Sequence, residues 1–186
     1  MPLLRTIAIA GLFLWLLVDG IAVFRHTTGK TENRDRFSLV LIMIGHPVAL
    51  IVGIRLAFGT IGSIHSVPLQ IAGLLVMAIG IAVRSTAIAQ LGRFHTPNVA
   101  VRADHQLMKG GLYRYVRHPS YLGALIAFLG FGLGLGNGIS LVVIMGISVC
   151  VYLYRMHEEE AALSAAFGDV YRDYCQTTKR LIPGLF

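Results

Sequence analysis

Four apolar stretches dominate this chain and limit what it can fold into. They cover about residues 4–24, 38–61, 68–91 and 122–154. Each of the first three suits one helix of roughly 20 residues across a hydrocarbon core of about 30 Å. Only 13% of the 186 residues are charged, whereas a soluble domain carries about 25%. The sequence therefore predicts an all-α integral membrane protein.

The fourth stretch is too long for one span and contains its own turn signal. As a straight helix it would be about 50 Å long, at ~1.5 Å per residue. Gly136, Asn137 and Gly138 interrupt it with residues that are typical of turns. We therefore predict a helical hairpin with arms at 121–135 and 139–154, and about five transmembrane helices in all.

The residues after the hairpin predict a cytoplasmic C-terminal helix. Leu163, Phe167, Tyr171 and Tyr174 follow one another at spacings that place them on one helix face. We expect this helix to cover about 158–175 and to pack under the membrane domain or lie in the interface.

Basic residues concentrate in three of the polar segments. Segments 25–36, 93–117 and 172–180 are rich in Lys and Arg, whereas 62–66 and 136–138 contain none. The positive-inside rule then places the three basic segments in the cytoplasm, with the N-terminus outside and the C-terminus inside. This topology accounts for the net charge of +7, so nucleic acid is not expected as a partner.

Arg155 is the most informative charged residue, because it lies at the end of an apolar helix. An ionisable side chain there is costly and is usually partnered or functional, although an arginine that snorkels to the boundary is an alternative. Glu158 and Glu159 lie three and four residues further on, on the same helix face. They could simply pair with Arg155 within the helix. Alternatively, Arg155 holds an anionic group and Glu159 a cationic one.

The step from His118 to Pro119 predicts the start of the first hairpin arm, because proline is favoured in the first turn of a helix. His118, Ser120 and Tyr121 would then cluster where free N–H groups favour an anion such as a carboxylate. This cluster and the Arg155 segment should meet at one membrane surface.

The remaining polar residues of the spans are expected to have structural rather than catalytic roles. His46 and Pro47 predict a kink in the second span with an imidazole satisfied inside the protein. Arg55 is expected to snorkel at the outer end, and Arg84 to face the interior or lie at the boundary. The two cysteines are not spaced as metal ligands or as a disulfide framework, so no metal site is predicted.

Three motifs in the second half of the chain resemble a known family. Residues 105–123 read HQLMKGGLYRYVRHPSYLG, Arg155 is followed by Glu159 and Glu160, and residues 167–174 read FGDVYRDY. Together they resemble the isoprenylcysteine carboxyl methyltransferase family, to which membrane phospholipid N-methyltransferases are related. The resemblance covers roughly residues 92–184.

The resemblance implies S-adenosylmethionine as cofactor, bound in a pocket that faces the cytoplasm. The length of the chain allows one membrane domain over 1–186, in which 1–91 supply three spans and 92–186 form the catalytic core that the resemblance implies. The resemblance assigns catalytic roles to Arg155, as the substrate contact, and to Glu159, as a cofactor contact. The other implied cofactor contacts are His105, Gln106, Leu107, Met108, Tyr113, His118, Pro119, Ser120, Tyr121 and Asn98. Two positions depart from the family pattern, which often has valine at Met108 and glutamine near Asn98.

Four functions stay open at this point. The leading one is carboxyl O-methylation of an isoprenylcysteine-like or lipidic acid that enters from the bilayer. A carboxylate nucleophile needs no general base, and Arg155 could orient it. N-methylation of an ethanolamine phospholipid is the alternative, and it would need a base such as Glu158 or Glu160. An NADPH-dependent membrane reductase and a non-enzymatic membrane protein are the remaining alternatives.

Overall fold

The computed structural model describes residues 2–26, 36–95 and 106–186, and these form a helical bundle. The helices are α1 (Pro2–His26), α2 (Arg36–Ala57), α3 (Val67–Leu91), α4 (Pro119–Leu135), α5 (Gly138–Phe167) and α6 (Asp169–Thr177). Short 3₁₀ turns occupy Gly92–Phe94 and Gly111–Arg114. The described ranges contain no β-strand beyond two isolated bridges. The all-α prediction is confirmed.

Four helices, α1, α2, α3 and α5, are long and apolar enough to cross a membrane. Helix α4 is also apolar but has 17 residues, which makes it about 26 Å long at ~1.5 Å per residue. The predicted hairpin is confirmed, because α4 and α5 are joined by a tight turn. Gly136 ends α4 with φ of 63°, and the Asn137 side chain accepts a hydrogen bond from the Ser140 amide at 2.9 Å.

Helices α3 and α4 pack so closely that their backbones touch through glycines. A Cβ on Gly80 would lie 2.2 Å from the Ala127 nitrogen, and one on Gly130 would lie 2.2 Å from the Met77 nitrogen. A Cβ on Gly73 would likewise lie 2.5 Å from the Gly134 nitrogen. Small residues allow this approach in membranes, where helix association depends on close packing. Gly73, Gly80 and Gly130 are therefore packing residues for this helix pair.

The loop between α2 and α3 closes one end of the bundle against the hairpin turn. The Ile64 amide donates to the Gly136 carbonyl at 2.8 Å, and the Gly138 amide donates to the Gly62 carbonyl at 2.8 Å. The buried Gln70 side chain donates to the Gly134 carbonyl at 3.1 Å. The two segments without lysine or arginine thus lie together, at the opposite end of α4 from His118.

The predicted end of the second hairpin arm at residue 154 and the single helix over 158–175 are wrong. Helix α5 continues through the charged residues to Phe167, and Gly168, with φ of 53°, separates it from α6. Glutamate is a good helix former, so the end of the apolar stretch did not end the helix. A C-terminal helix does exist, as α6, and Tyr171 and Tyr174 are its buried residues. The second span, α2, runs on through Pro47.

Candidate active site

The start of α4 offers polar groups at one end of the bundle. His118 is the residue before the helix, Pro119 occupies its first turn, and the helix has no side-chain cap. Its first-turn N–H groups therefore have no side-chain acceptor of their own, which is the condition for anion binding at a helix N-terminus. The prediction that Pro119 starts this helix is confirmed.

The first turn of α4 meets the polar part of α5. The Tyr121 hydroxyl donates to Glu159 Oε2 at 2.7 Å, and His118 Nδ1 lies 4.0 Å from the same oxygen. The rings of His118 and Tyr121 stack at 5.6 Å. One third of the Glu159 side chain, 34%, stays exposed. The two sequence clusters thus come together, and their carboxylate is accessible from outside.

Arg155 lies one turn before Glu159 and is buried rather than snorkelling. Its side chain is 3% exposed, and Nη1 donates to the Ser38 hydroxyl on α2 at 2.6 Å. Ser38 was not anticipated from the sequence, because a serine at the start of an apolar span carries no specific signal. The site therefore draws residues from α2, α4 and α5.

Glu160 has a different environment from its neighbour Glu159. Its Oε1 accepts from Arg117 Nε at 3.0 Å and lies 3.1 Å from His118 Nε2, and its Oε2 pairs with Arg180. Hydrogen bonding to Glu160 raises the pKa of Arg180 above its ordinary value. Glu160 thus joins the start of α4 to the C-terminal segment.

The C-terminal segment also binds the residues before α4 through its backbone. The Arg117 amide donates to the Lys179 carbonyl at 2.8 Å, and the His118 amide donates to the Arg180 carbonyl at 3.1 Å. These bonds fix the main chain at His118 from outside the bundle. This pairing could not be predicted from the sequence, because two backbone hydrogen bonds between distant segments leave no local pattern of residues.

Of the segment before α4, the structure describes only the part from residue 106. Gln106 is exposed, and Leu107 and Met108 are half-buried. Tyr113 is buried, and its hydroxyl donates to the Ala87 carbonyl on α3 at 3.4 Å. Burial, and then the Glu159 carboxylate, raise the pKa of Tyr113. The predicted contacts His105 and Asn98 lie outside the described residues.

Aromatic side chains continue from the site into the bundle. The Tyr121 ring contacts the Tyr152 ring at 5.0 Å, and His46 lies 4.6 Å from Tyr152 and 5.4 Å from Phe128. Trp15 of α1 contacts Phe128 at 5.4 Å. The His46 ring thus packs among aromatic rings inside the bundle. Its Nε2 has no hydrogen-bond partner in the part of the chain that is described, so the predicted satisfaction of this imidazole is incomplete.

The fold and the site together define a multi-pass helical membrane protein with a polar site between α2, α4 and α5. The family model of the isoprenylcysteine carboxyl methyltransferase (ICMT) family matches residues 72–165, which is half of the chain. The chain belongs to this family.

Named relatives agree with this membership. The chain is 36% identical over 116 residues to the protein-S-isoprenylcysteine O-methyltransferase of Schizosaccharomyces pombe. The aligned region covers 61% of this chain and 49% of that protein. The chain is 34% identical over 113 residues to protein-S-isoprenylcysteine O-methyltransferase B of Arabidopsis thaliana, covering 60% and 57% respectively. The chain thus spans about half the length of these relatives.

A solved structure shares the fold. It is the eukaryotic intramembrane Ras methyltransferase ICMT, which matches with a TM-score of 0.61 at 28% identity. The match covers 83% of this chain and 55% of that one. It extends beyond the region of the family model, so the resemblance includes spans that the sequence motifs did not reach.

Proposed function

We propose that this protein is an S-adenosylmethionine-dependent membrane methyltransferase that forms a methyl ester on a lipophilic carboxylic acid. An isoprenylcysteine is the first acid to test, since the named relatives carry that substrate in their names. One observation supports the proposal above the others. The Tyr121–Glu159 hydrogen bond of 2.7 Å joins the start of α4 to the turn of α5 that contains Arg155.

The residues present fit the proposed cofactor by their chemistry. S-adenosylmethionine presents an ammonium, a carboxylate, an adenine and a sulfonium. The partly exposed Glu159 carboxylate suits a cationic group, and the uncapped start of α4 with the His118 imidazole suits the carboxylate. When bound, this cofactor would supply an electrophilic methyl group.

The chain itself would supply position and desolvation, which are the main protein contributions to a displacement of this kind. Arg155 is buried beside Ser38, and its planar guanidinium can orient an acceptor carboxylate bidentately. The acceptor needs no proton removed, because carboxylic acids are ionised at neutral pH. Tyr121 would hold Glu159 in place at the cofactor.

The amine alternative receives less support from the environment of the glutamates. Glu160, one of the two candidate bases, is already bound by Arg117, His118 and Arg180. A carboxylate held by three cationic or imidazole groups is a poor proton acceptor. The named relatives are O-methyltransferases, which also favours an acid over an ethanolamine phospholipid.

The proposal includes an orientation. The site residues lie at the end of the bundle that contains Arg117, Lys179 and Arg180, and the loops 62–66 and 136–138, which have no Lys or Arg, lie at the other end. By the positive-inside rule the site would face the cytoplasm, with the N-terminus outside and the C-terminus inside. A lipophilic acceptor would then reach Arg155 from the bilayer.

A ligand titration followed by a methyl-transfer assay tests the function. Purified protein in detergent is titrated with S-adenosylmethionine, S-adenosylhomocysteine and NADPH while its thermal unfolding is followed. A ligand at a hundred times its Kd adds about 2.7 kcal/mol to folding. We expect stabilisation by the two adenosyl ligands, loss of it in Glu159→Gln, and its retention in the adjacent Glu158→Gln.

The assay then supplies an S-prenylated cysteine derivative or phosphatidylethanolamine vesicles with labelled cofactor. A base-labile methyl group on the acid is the expected product. A labelled methyl group in the ethanolamine headgroup would show that the protein methylates an amine, and the proposed ester formation would then be wrong. Stabilisation by NADPH alone would identify a reductase, and folded protein that responds to none of the ligands would refute the enzymatic function.

A further inference from the structure

An ion pair lies inside the bundle, between residues that the proposed chemistry does not use. Asp19 of α1 and Arg84 of α3 both fall within candidate membrane spans. Arg84 Nε donates to Asp19 Oδ1 at 2.8 Å, and Nη2 donates to Oδ2 at 2.7 Å. The Arg84 side chain is only 13% exposed and the Asp19 side chain 17%. Charged groups within membrane spans are costly and usually have a function.

Arg84 has a third contact, which is with the start of α4. Its Nη1 donates to the Ser120 carbonyl at 3.4 Å. The guanidinium therefore contacts α1 through Nε and Nη2 and α4 through Nη1. The backbone of Arg84 touches α4 as well, because a Cβ on Gly123 would lie 2.5 Å from the Arg84 nitrogen. The first turns of α4 therefore rest directly on Arg84.

Ser120 is adjacent to Tyr121, whose hydroxyl holds Glu159. A displacement of the first turn of α4 would move this phenol and the His118 imidazole together. The guanidinium is planar and presents its donors in a fixed fork, so the bidentate pair with Asp19 sets the direction in which Nη1 points. A purely apolar contact between α1 and α3 would hold the helices together without fixing that direction.

We propose that the Asp19–Arg84 pair is a positioning device for the methyl-transfer site. Arg84 is the positioning residue for the first turn of α4, and Asp19 orients its guanidinium. This inference rests on the proposed function. It also assigns a role in the site to α1, whose residues precede the region of the family model.

Removing both charges separates positioning from structure. A buried ion pair can often be replaced by apolar residues without loss of stability, whereas removing one partner leaves an uncompensated charge. The double variant Asp19→Leu/Arg84→Met should therefore unfold at the parent temperature or above it. We expect its kcat to fall, or its KM for S-adenosylmethionine to rise, by about tenfold to a hundredfold, the effect of a displacement of roughly 1 Å.

Arg84→Lys is a second variant that keeps the charge. A lysine can still pair with Asp19 but lacks a second nitrogen to reach the Ser120 carbonyl. We expect near-parent stability with impaired kcat or KM. The matched control is Arg55→Met, because Arg55 is an exposed arginine near the other end of the bundle, and it should change neither quantity.

The experiment is the methyl-transfer assay on the full chain in detergent, with thermal unfolding measured on the same samples. Either variant folded, with parent kcat and parent KM, overturns the inference alone. An inactive parent protein overturns the proposed function, and the inference with it. Retained stability with impaired kinetics in both variants, and not in Arg55→Met, supports the positioning role.

Discussion

Two adjacent glutamates have opposite surroundings in this protein. Glu160 contacts Arg117 and His118 and pairs with Arg180, so its charge is neutralised within the fold. Glu159 has one strong hydrogen bond, from Tyr121, and is 34% exposed. The difference follows from the helix, because neighbouring positions in a helix point about 100° apart. Glu160 thus faces the C-terminal segment, and Glu159 stays available for a ligand.

Tyr121→Phe is a prediction at the scale of a single residue. The change removes the hydroxyl that donates to Glu159. A hydrogen bond to a charged group contributes about 1.5–3 kcal/mol, and ~1.4 kcal/mol is a tenfold change in affinity. We expect the affinity for S-adenosylmethionine to fall by about tenfold to a hundredfold, measured by calorimetry or by thermal shift. Tyr115→Phe, at a tyrosine that is 63% exposed, should bind as the parent does. Equal affinities in the two variants would contradict the assigned role of Tyr121.

At the scale of an element, the contact between α3 and α4 depends on the absence of side chains. The close approaches at Gly73, Gly80, Gly123 and Gly130 all involve backbone atoms of the partner helix. Backbone cannot rotate away as a flexible side chain can, so an added methyl group must push the helices apart. Since α4 begins with the site residues, its position against α3 also fixes the site.

Gly80→Ala tests this contact. The new Cβ would lie 2.2 Å from the Ala127 nitrogen, and overpacking of this kind costs about 1–3 kcal/mol. Gly146→Ala is the matched control, because nothing lies within 4 Å of a Cβ there. Alanine is the better helix former by about 0.8–1 kcal/mol, so the control should be as stable as the parent or more so. Thermal unfolding in detergent checks both. An unchanged midpoint for Gly80→Ala would contradict the backbone contact.

The packing of α6 against the bundle should weaken at alkaline pH. Burial raises the pKa of Tyr174 from its ordinary value of 10.0 to about 12, and burial also raises the pKa of Tyr171. A raised pKa means that the folded state favours the neutral phenol. The stability that Tyr174 contributes is therefore complete below pH 10 and is lost as the pH rises through about 12, and the contribution of Tyr171 is lost at higher pH.

Limited proteolysis near Gly168, with tyrosinate absorbance followed in parallel, measures this loss. We expect cleavage and absorbance to increase together between about pH 10 and 12. A C-terminal segment that resists cleavage while all tyrosines ionise near pH 10 would contradict the buried environment of α6.

At the scale of the whole molecule, the two ends of the bundle differ in charge. One end contains Arg117, Glu159, Glu160 and Arg180, and the other contains the loop and the turn that join through backbone hydrogen bonds. Such a polarity sets the orientation of a membrane protein. It also brings the charged groups of the proposed site together at one end of the bundle.

Labelling of single cysteines tests the orientation. In a background of Cys150→Ala and Cys175→Ser, Thr60→Cys reports the end with the α2–α3 loop, and Lys179→Cys reports the end with the site. Both positions are exposed. An impermeant thiol reagent added to intact cells should label Thr60→Cys, whereas Lys179→Cys should react only after the membrane is opened. The reverse pattern would place the site outside, and labelling of both in intact cells would contradict the single orientation.

The sequence by itself determined the helical class, the hairpin turn and the start of α4. These depend on local properties, such as hydropathy over about 20 residues, turn residues between apolar runs and proline in a first turn. It also predicted that the clusters around His118 and Arg155 meet, because the hairpin between them brings its two ends together.

Only the tertiary structure decided how each charge is used. The partner of Arg84 is Asp19, 65 residues away, Arg155 reaches Ser38 across 117 residues, and Glu160 meets Arg180 from a segment beyond α6. No local pattern encodes such pairs, because which helices touch, and at what height, depends on side-chain packing along their whole length. Between α3 and α4 the glycines set that height, and with it the contact of Arg84 with the Ser120 carbonyl.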